Sequence, residues 1–437
     1  MQYLDLLFPT DRPRPTVRRP ARFYGDQTLR DQENVTFSDL ISPMSLQSFA
    51  DEVWDRRQLL ISRSDGAFYE SLFTFADVDR LIFLARERPQ ELLTIVPKVK
   101  TAGAESRFRL NQVPVRELYR RFQSGDTIRI SDIQASWPPL MRLAQDIVRT
   151  LTVRVDVNLY MTPANSQGFP THVDYEDVFI LQVGGAKEWF VYEADYPWPV
   201  EGLSYLSEQG GHSTPRRDEN LLRQAENVVL EAGDFLYIPR GYPHRAVTSG
   251  RPSLHLTIGL HPLYWLDLVQ AALEIVCAQE PDLRRALPPS FARNQKVREA
   301  MATRFEATLS SAHEKVSFEK AVDAVVATRV PSPGFPPDGH FASLSSLGSL
   351  DLSTTLERRM GLDCVVERSG SEAFVRFGRE CIRGPLSIAP ALGYVRDHQN
   401  FQISQLPNLD DNGKIVLSRR LIVEGLLRIV SLNASSM

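Results

Sequence analysis

The stretch from Val153 to Leu260 constrains the fold most, because its apolar residues recur at every second position in short runs. In VRVDVNLYM, Val153, Val155, Val157, Leu159 and Met161 alternate with Arg154, Asp156, Asn158 and Tyr160. A segment with that period is a strand with two unlike faces. SLHLTIGL repeats the pattern: Leu254, Leu256, Ile258 and Leu260 face one way, and Ser253, His255, Thr257 and Gly259 the other. Between them lie VFILQVGG, AKEWFVYE, NVVLEAGD and FLYIPRG, short runs broken by glycine, proline or Gly-Asp turns. Many short strands without intervening helices predict a sandwich or barrel. The polar faces are then either a solvated outer surface or the lining of an internal pocket.

The flanks read differently. From about Ser45 to Leu151 the apolar spacing is mostly helical, in SLQSFADEVWDRRQLLI, FADVDRLIFLARERP and PPLMRLAQDIVRTL, the last with Pro138 and Pro139 at its start. Residues 1 to 35 are proline- and arginine-rich and are expected to be loosely ordered. From Pro262 the pattern is helical again: WLDLVQAALEIVCAQEPDLRRAL, NQKVREAMATRFEATLSSA and FEKAVDAVVATRV. PSPGFPPDG, from Pro331 to Gly339, is a linker candidate. In the remainder of the chain, NGKIVLSRRLIVEGLLRIV resembles the helix and following strand of a winged helix. The expected division is 1–35, a loose N-terminal segment; 36–262, a barrel with an N-terminal helical region; 263–330, a helical region; and 340–437, a winged-helix-like domain. The class is α+β.

Composition sets bounds on function. A chain of 437 residues with 43% apolar and 24% charged residues is that of a soluble globular protein. A net charge of −4 gives no general pull toward nucleic acid or anionic membrane. From Asp351 to Met437 eleven Lys and Arg face ten Asp and Glu, without the basic stripe of a phosphate-binding surface. Cys277, Cys364 and Cys381 are scattered and odd in number, which fits neither a disulfide framework nor a zinc site and points to a reducing cytosol. The N-terminus lacks the apolar core of a signal peptide. No apolar run reaches the length of about 18 residues that spans a membrane. A cytoplasmic location is expected.

His172 and Asp174, in FPTHVDYEDVF, are two residues apart, so in extended chain both side chains leave on one face. An imidazole nitrogen and a carboxylate oxygen there can share one cation. Taken alone, a His-x-Asp is a weak signal, since most lie in surface loops or satisfied hydrogen bonds. A third ligand must come from another strand. The best candidate is His244 in EAGDFLYIPRGYPHRAV, which follows a Gly-Asp turn, an apolar strand and the stop from Pro239 to Pro243. Two histidines and one carboxylate form the facial triad of non-haem Fe(II) oxygenases. His212, His313, His340 and His398 lack such a setting. His255 and His261 are intermediate; His255 faces the polar side of its strand, behind the ligands or as a buried hydrogen-bonder.

These stretches, NLYMTPANSQGFPTHVDYEDVFILQVGGAKEWFVYE, LEAGDFLYIPRGYPHRA and SLHLTIG, resemble the JmjC oxygenases of the cupin superfamily, especially the ribosomal oxygenase group. WDRRQLLISR, the helices after Pro262 and the tail are similar to that group's N-terminal region, dimerisation segment and winged-helix-like domain. The resemblance implies a double-stranded β-helix, the jelly roll of the cupins, with Fe(II) at His172, Asp174 and His244, and with 2-oxoglutarate and O2 as co-substrates. It places Lys187, on the same strand face as Trp189, at the 2-oxoglutarate carboxylate, and Asn158, Tyr160 and Thr257 near the co-substrate and peptide. The plain alternatives are an exposed strand lysine at 187 and, at the other three, polar residues that satisfy one another. The implied activity is hydroxylation of a histidine or arginine side chain in a ribosomal protein, or in the precursor of a ribosomally made peptide product. N-methyl demethylation uses the same oxidant, and a non-catalytic cupin-like binding module or a transcription regulator are the readings from other classes. The implied partners are a protein or peptide substrate and a second copy of the chain, with neither membrane nor nucleic acid.

Overall fold

The computed structural model describes residues 21–24, 35–87, 92–98, 105–194, 198–200, 225–330, 335, 338–359, 361–362, 364–378 and 380–431, with backbone alone at 21–24 and 310–314. By contact density the chain divides into two units, one of residues 1–150, 155–260 and 333–437, the other of residues 151–154 and 261–332.

In the first unit the strands are β1 (Ala21–Tyr24), β2 (Leu59–Ser62), β3 (Leu92–Val96), β4 (Ser106–Arg109), β5 (Thr127–Ile130), β6 (Arg154–Thr162), β7 (Asp177–Val191), β8 (Glu226–Glu231), β9 (Phe235–Ile238), β10 (His244–Val247) and β11 (Ser253–His261). They hydrogen-bond in the order β1-β2-β9-β7-β11-β6-β5-β3-β4, while β8 and β10 pair with β7 off that path. The long strand β7 explains the arrangement. Its first half pairs with β9 and β11, and its second half, from Ala186 on, with β8 and β10. One strand therefore serves two sheets, and the space between them is where its inward side chains meet.

The hinge of β7 is Gly184-Gly185. The sequence reads VFILQVGG and AKEWFVYE as two runs; the structure joins them as one strand that bends. Gly185 has φ +67°, and a Cβ there would lie 1.8 Å from the Pro252 carbonyl oxygen. Opposite, the register shifts between Leu254 and His255. Such an irregularity bends a strand without ending it. Leu254, Leu256, Ile258 and Leu260 are all fully buried, as the alternation in β11 predicts.

Part of the helical reading before Leu151 is corrected. Helices occupy Asp77–Ala85, Val115–Gln123 and Pro138–Leu151, but β2 to β5 also lie in this stretch. SLQSFADEVWDRRQLLI starts helical at Leu46–Ser48, passes through a π turn at Phe49–Val53, and is broken by Asp55 at φ +59°. Leu59, Leu60 and Ile61 then pair antiparallel with Tyr237, Leu236 and Phe235 and are 0–2% exposed. A strand buried on both faces has no alternation for a sequence reader to find. The loose-order reading of residues 1–35 falls almost wholly outside the described residues; within it, Ala21–Tyr24 is a strand parallel to β2. Most of the linker candidate also lies outside them.

Farther along the same unit, β12 (Thr355–Arg358) pairs with β16 (Asn400–Gln402) and β17 (Leu427–Ser431), and β13 (Cys364–Ser369), β14 (Glu372–Phe377) and β15 (Glu380–Pro385) form a meander. With the helices Ala389–Asp397 and Asp411–Val423 they bury a core that includes Leu356, Val375, Leu392, Leu421 and Leu427. The second unit holds the helices Trp265–Gln279, Gln295–Lys315 and Phe318–Arg329. Arg329 reaches Asp267 at 3.1 Å, and Ala271, Val276, Ala321 and Val325 are buried. Trp265, Val269, Phe305 and Phe318 are exposed. No described helix is long and apolar enough to cross a membrane.

Candidate metal centre

His172 lies just before β7, and His244 opens β10. The two residues exchange both backbone hydrogen bonds as an isolated antiparallel bridge: the His172 N–H donates to the His244 carbonyl at 3.1 Å, and the His244 N–H to the His172 carbonyl at 2.9 Å. This pairing brings their rings to 4.4 Å between centroids. Each ring is then oriented locally. His172 Nδ1 is 2.9 Å from the Pro170 carbonyl and His244 Nδ1 is 3.0 Å from that of Tyr242. A carbonyl only accepts, so each Nδ1 carries a proton and Nε2 is the ring atom left to bind a cation. Both Nε2 atoms point at one carboxylate, with His172 3.6 Å from Asp174 Oδ1 and His244 3.4 Å from Oδ2.

Ligand atoms of His172, Asp174 and His244 all lie within 4.8 Å of one another. Burial alone would raise the Asp174 carboxyl, but the two imidazoles and Arg129 outweigh it and hold it well below the usual carboxylate range. Burial, with His244 beside it, pushes His172 down; at His244 the Asp174 carboxylate overcomes burial and pushes the ring up. Two imidazole lone pairs and an anionic oxygen that converge at this spacing suit a divalent cation of the Fe(II) type, held on one side with the other side open. The donor set therefore fits the metal that the sequence suggests.

The three candidate ligands line a small, partly open pocket, shared with Tyr160, Lys187, Trp189, His255 and Thr257. Lys187 is 3% exposed, and its Nζ donates to Thr162 Oγ1 at 3.0 Å. Among the described residues no carboxylate pairs with it, and burial pushes its ammonium down to about 7. The exposed-lysine reading thus fails. His255 is 1% exposed, stacks on Tyr160 at 4.8 Å, and leaves Nδ1 without a hydrogen bond, as Trp189 leaves Nε1. Burial and then Lys187 push His255 well down.

Tyr160 and Thr257 are thus in the pocket. Asn158 is buried on the same strand face but is not among the pocket residues, and its amide donates to Asp156 at 2.6 Å. The polar face of β6 from Asn158 on, and that of β11, turn inward. Sequence reading missed Thr162 and Arg129. Thr162 continues the Asn158, Tyr160 alternation by one step, so extending the period finds it. Arg129 pairs across β5 and β6 with Tyr160, and its guanidinium lies 5.6 Å from that ring; only the strand pairing shows this. Of the other histidines, His340 Nε2 meets the Ile422 carbonyl and His398 stacks on Tyr394. His212 and the side chain of His313 lie outside the described residues.

Residues 133–268 match the model of the JmjC domain. The chain carries a JmjC domain. Its relatives are ribosomal oxygenases and similar proteins. Ribosomal oxygenase 2 of Mus musculus is 32% identical over 273 residues, covering 59% of this chain and 55% of the relative. Ribosomal oxygenase 1 of Danio rerio is 28% identical over 312 residues, 68% of this chain and 55% of the relative. The "Bifunctional lysine-specific demethylase and histidyl-hydroxylase NO66" of Aedes aegypti is 30% identical, over 58% of this chain and 39% of the relative. The chain thus spans about half the length of the curated relatives it matches. Among solved structures, E. coli ycfD superposes with a TM-score of 0.51 at 17% identity, over 88% of this chain and 98% of that one. That likeness shows the fold alone, within an α+β chain.

Proposed function

We propose that this JmjC protein is an Fe(II)- and 2-oxoglutarate-dependent oxygenase that hydroxylates a histidine or arginine side chain of a protein or peptide. One observation carries the reading. Beside three converging metal-ligand atoms, a buried lysine that has no anionic partner among the described residues faces the same pocket. An uncompensated buried cation is costly, so the fold retains a place for an anion there.

His172, Asp174 and His244 would hold the metal. With 2-oxoglutarate and O2 as co-substrates, iron held there would supply the oxidising chemistry that places one oxygen atom in a C–H bond, with succinate and carbon dioxide as the other products. The chain's own residues do the rest. Lys187, steadied by Thr162, neutralises the distal carboxylate of the co-substrate, and Thr257 offers a hydroxyl along its length. Tyr160 and Trp189 wall the pocket and exclude water. The substrate enters on the side where His172 and Asp174 are partly exposed, and contacts along the chain of a peptide hold the target carbon in place.

The names of the relatives favour a ribosomal protein as substrate over a peptide-product precursor. A non-catalytic module would have no use for the triad and Lys187 together. The second unit, with its exposed apolar helices, is proposed as a homodimer interface. The C-terminal region is proposed as a winged-helix-like domain in peptide recognition, and the location as cytoplasmic. The test is mass spectrometry after incubation with iron, ascorbate and 2-oxoglutarate, on ribosomal proteins from the source cell and on precursor peptides encoded near the gene. Gain of one oxygen on a histidine or arginine is expected. Loss of a methyl group would make the protein a demethylase, and efficient oxidation of a free amino acid would refute the peptide claim.

A further inference from the structure

A charge cluster lies close in the chain to the candidate metal ligands. Asp177, the first residue of β7, is fully buried. Its Oδ1 accepts from the Tyr237 hydroxyl at 3.0 Å and from the Arg240 backbone N–H at 3.1 Å; its Oδ2 accepts from Arg240 Nη1 at 3.0 Å. The same Nη1 lies 2.7 Å from Asp55 Oδ1. A buried ion pair of this kind often adds little net stability over apolar residues of the same volume. Its place in the chain is more telling than its energy.

Asp177 follows Asp174 by three residues, and Arg240 precedes His244 by four. The turn between Arg240 and His244 touches both ligand-bearing segments. The Gly241 N–H donates to the Asp174 carbonyl at 3.0 Å, and the Tyr242 carbonyl receives His244 Nδ1 at 3.0 Å. Gly241 has φ +86°, a backbone state that holds the turn tight. Arg240 is 7% exposed and is bonded to Asp177 through both backbone and side chain, so it anchors this turn to the start of β7.

We infer that Asp177 and Arg240 are positioning residues that clamp the His172–Asp174 segment to the turn bearing His244, and that this clamp sets the affinity of the site for its metal. The inference rests on the proposed metal triad. The clamp acts through the backbone of Gly241 and Tyr242, so cutting it frees the spacing and ring orientation of the ligands without removing any of them. Loss of groups that orient metal ligands costs about 10–100-fold in affinity.

The experiment is calorimetric titration of the full metal-free chain with Mn(II), beside its thermal unfolding, for wild type, Asp177→Asn, Arg240→Met, Arg240→Lys, the double variant Asp177→Asn/Arg240→Met, and His244→Ala. Expected are Mn(II) affinities weakened about tenfold or more in Asp177→Asn and Arg240→Met, a double variant no worse than the weaker single, partial recovery in Arg240→Lys, and cooperative unfolding throughout. Should Arg240→Met not unfold cooperatively, the isosteric Asp177→Asn decides by the same criterion. An affinity within about threefold of wild type in a folded Asp177→Asn, a change small beside that range, overturns the clamp. If His244→Ala binds Mn(II) like wild type, the triad reading itself falls, and the clamp with it.

Discussion

Replacing Lys187 with Met separates what the lysine does for function from what it does to the fold. In the free protein the ammonium is buried, and its pKa falls from 10.5 to about 7 through desolvation. At about 1.4 kcal/mol per pH unit, that drop represents about 5 kcal/mol against folding while the group is charged. The sign follows from proton counts. Below pH 7 both states hold the proton, and the folded state carries the whole penalty. Between pH 7 and 10.5 the unfolded chain holds more protons than the folded one, so stability rises with pH. Integrated from pH 6 to pH 9, wild type should gain about 3 kcal/mol relative to Lys187→Met, which does not titrate. Methionine fills the same volume without the charge. Lys187→Met should therefore be the more stable protein at pH 6, with the gap shrinking toward pH 9. The assay is urea unfolding of both proteins at the two pH values, free of metal and 2-oxoglutarate. The same substitution should weaken 2-oxoglutarate binding, because a charge-assisted pair contributes about 2–3 kcal/mol. A Lys187→Met protein that is less stable than wild type at pH 6, or a gap that does not change with pH, would refute the reasoning. So would an unchanged 2-oxoglutarate midpoint.

Alanine at His172, Asp174 or His244 should abolish 2-oxoglutarate turnover while the metal-free melting curve keeps its cooperative form; near-wild-type turnover in His244→Ala would sink the triad. Gly185→Ala should be among the most damaging single changes, since its Cβ would collide with the Pro252 carbonyl at a positive φ; a cost of about 3 kcal/mol or more is expected from combined overpacking and backbone strain, and a melting midpoint within a degree or so of wild type would contradict it. Light scattering at micromolar concentration should give twice the 49.5 kDa chain mass. A monomer across that range would leave the apolar faces of the helices after Pro262 without a homodimer to explain them.

The sequence by itself determined the local features. Strict alternation in VRVDVNLYM and SLHLTIGL made those segments strands with unlike faces, because side chains in extended chain alternate regardless of what lies beyond. The two-residue spacing of His172 and Asp174 put both on one side for the same reason. PPLMRLAQDIVRTL is a helix from Pro138 to Leu151, as its spacing and paired prolines require. Tertiary structure decided whatever depended on partners far along the chain. Leu59–Ser62 reads as the end of a helix and becomes a strand because Phe235–Ile238 pairs with it. The Gly-Gly in β7 reads as a break and becomes a bend, because two sheets draw on the same strand. His244 reaches Asp174 through a backbone bridge to His172, and Lys187 is cut off from water only in the folded chain. Nothing in the local sequence singles out Asp177 and Arg240. Only the fold places them against each other, because hydrogen bonds between distant segments are fixed by strand pairing and not by the local period of either segment.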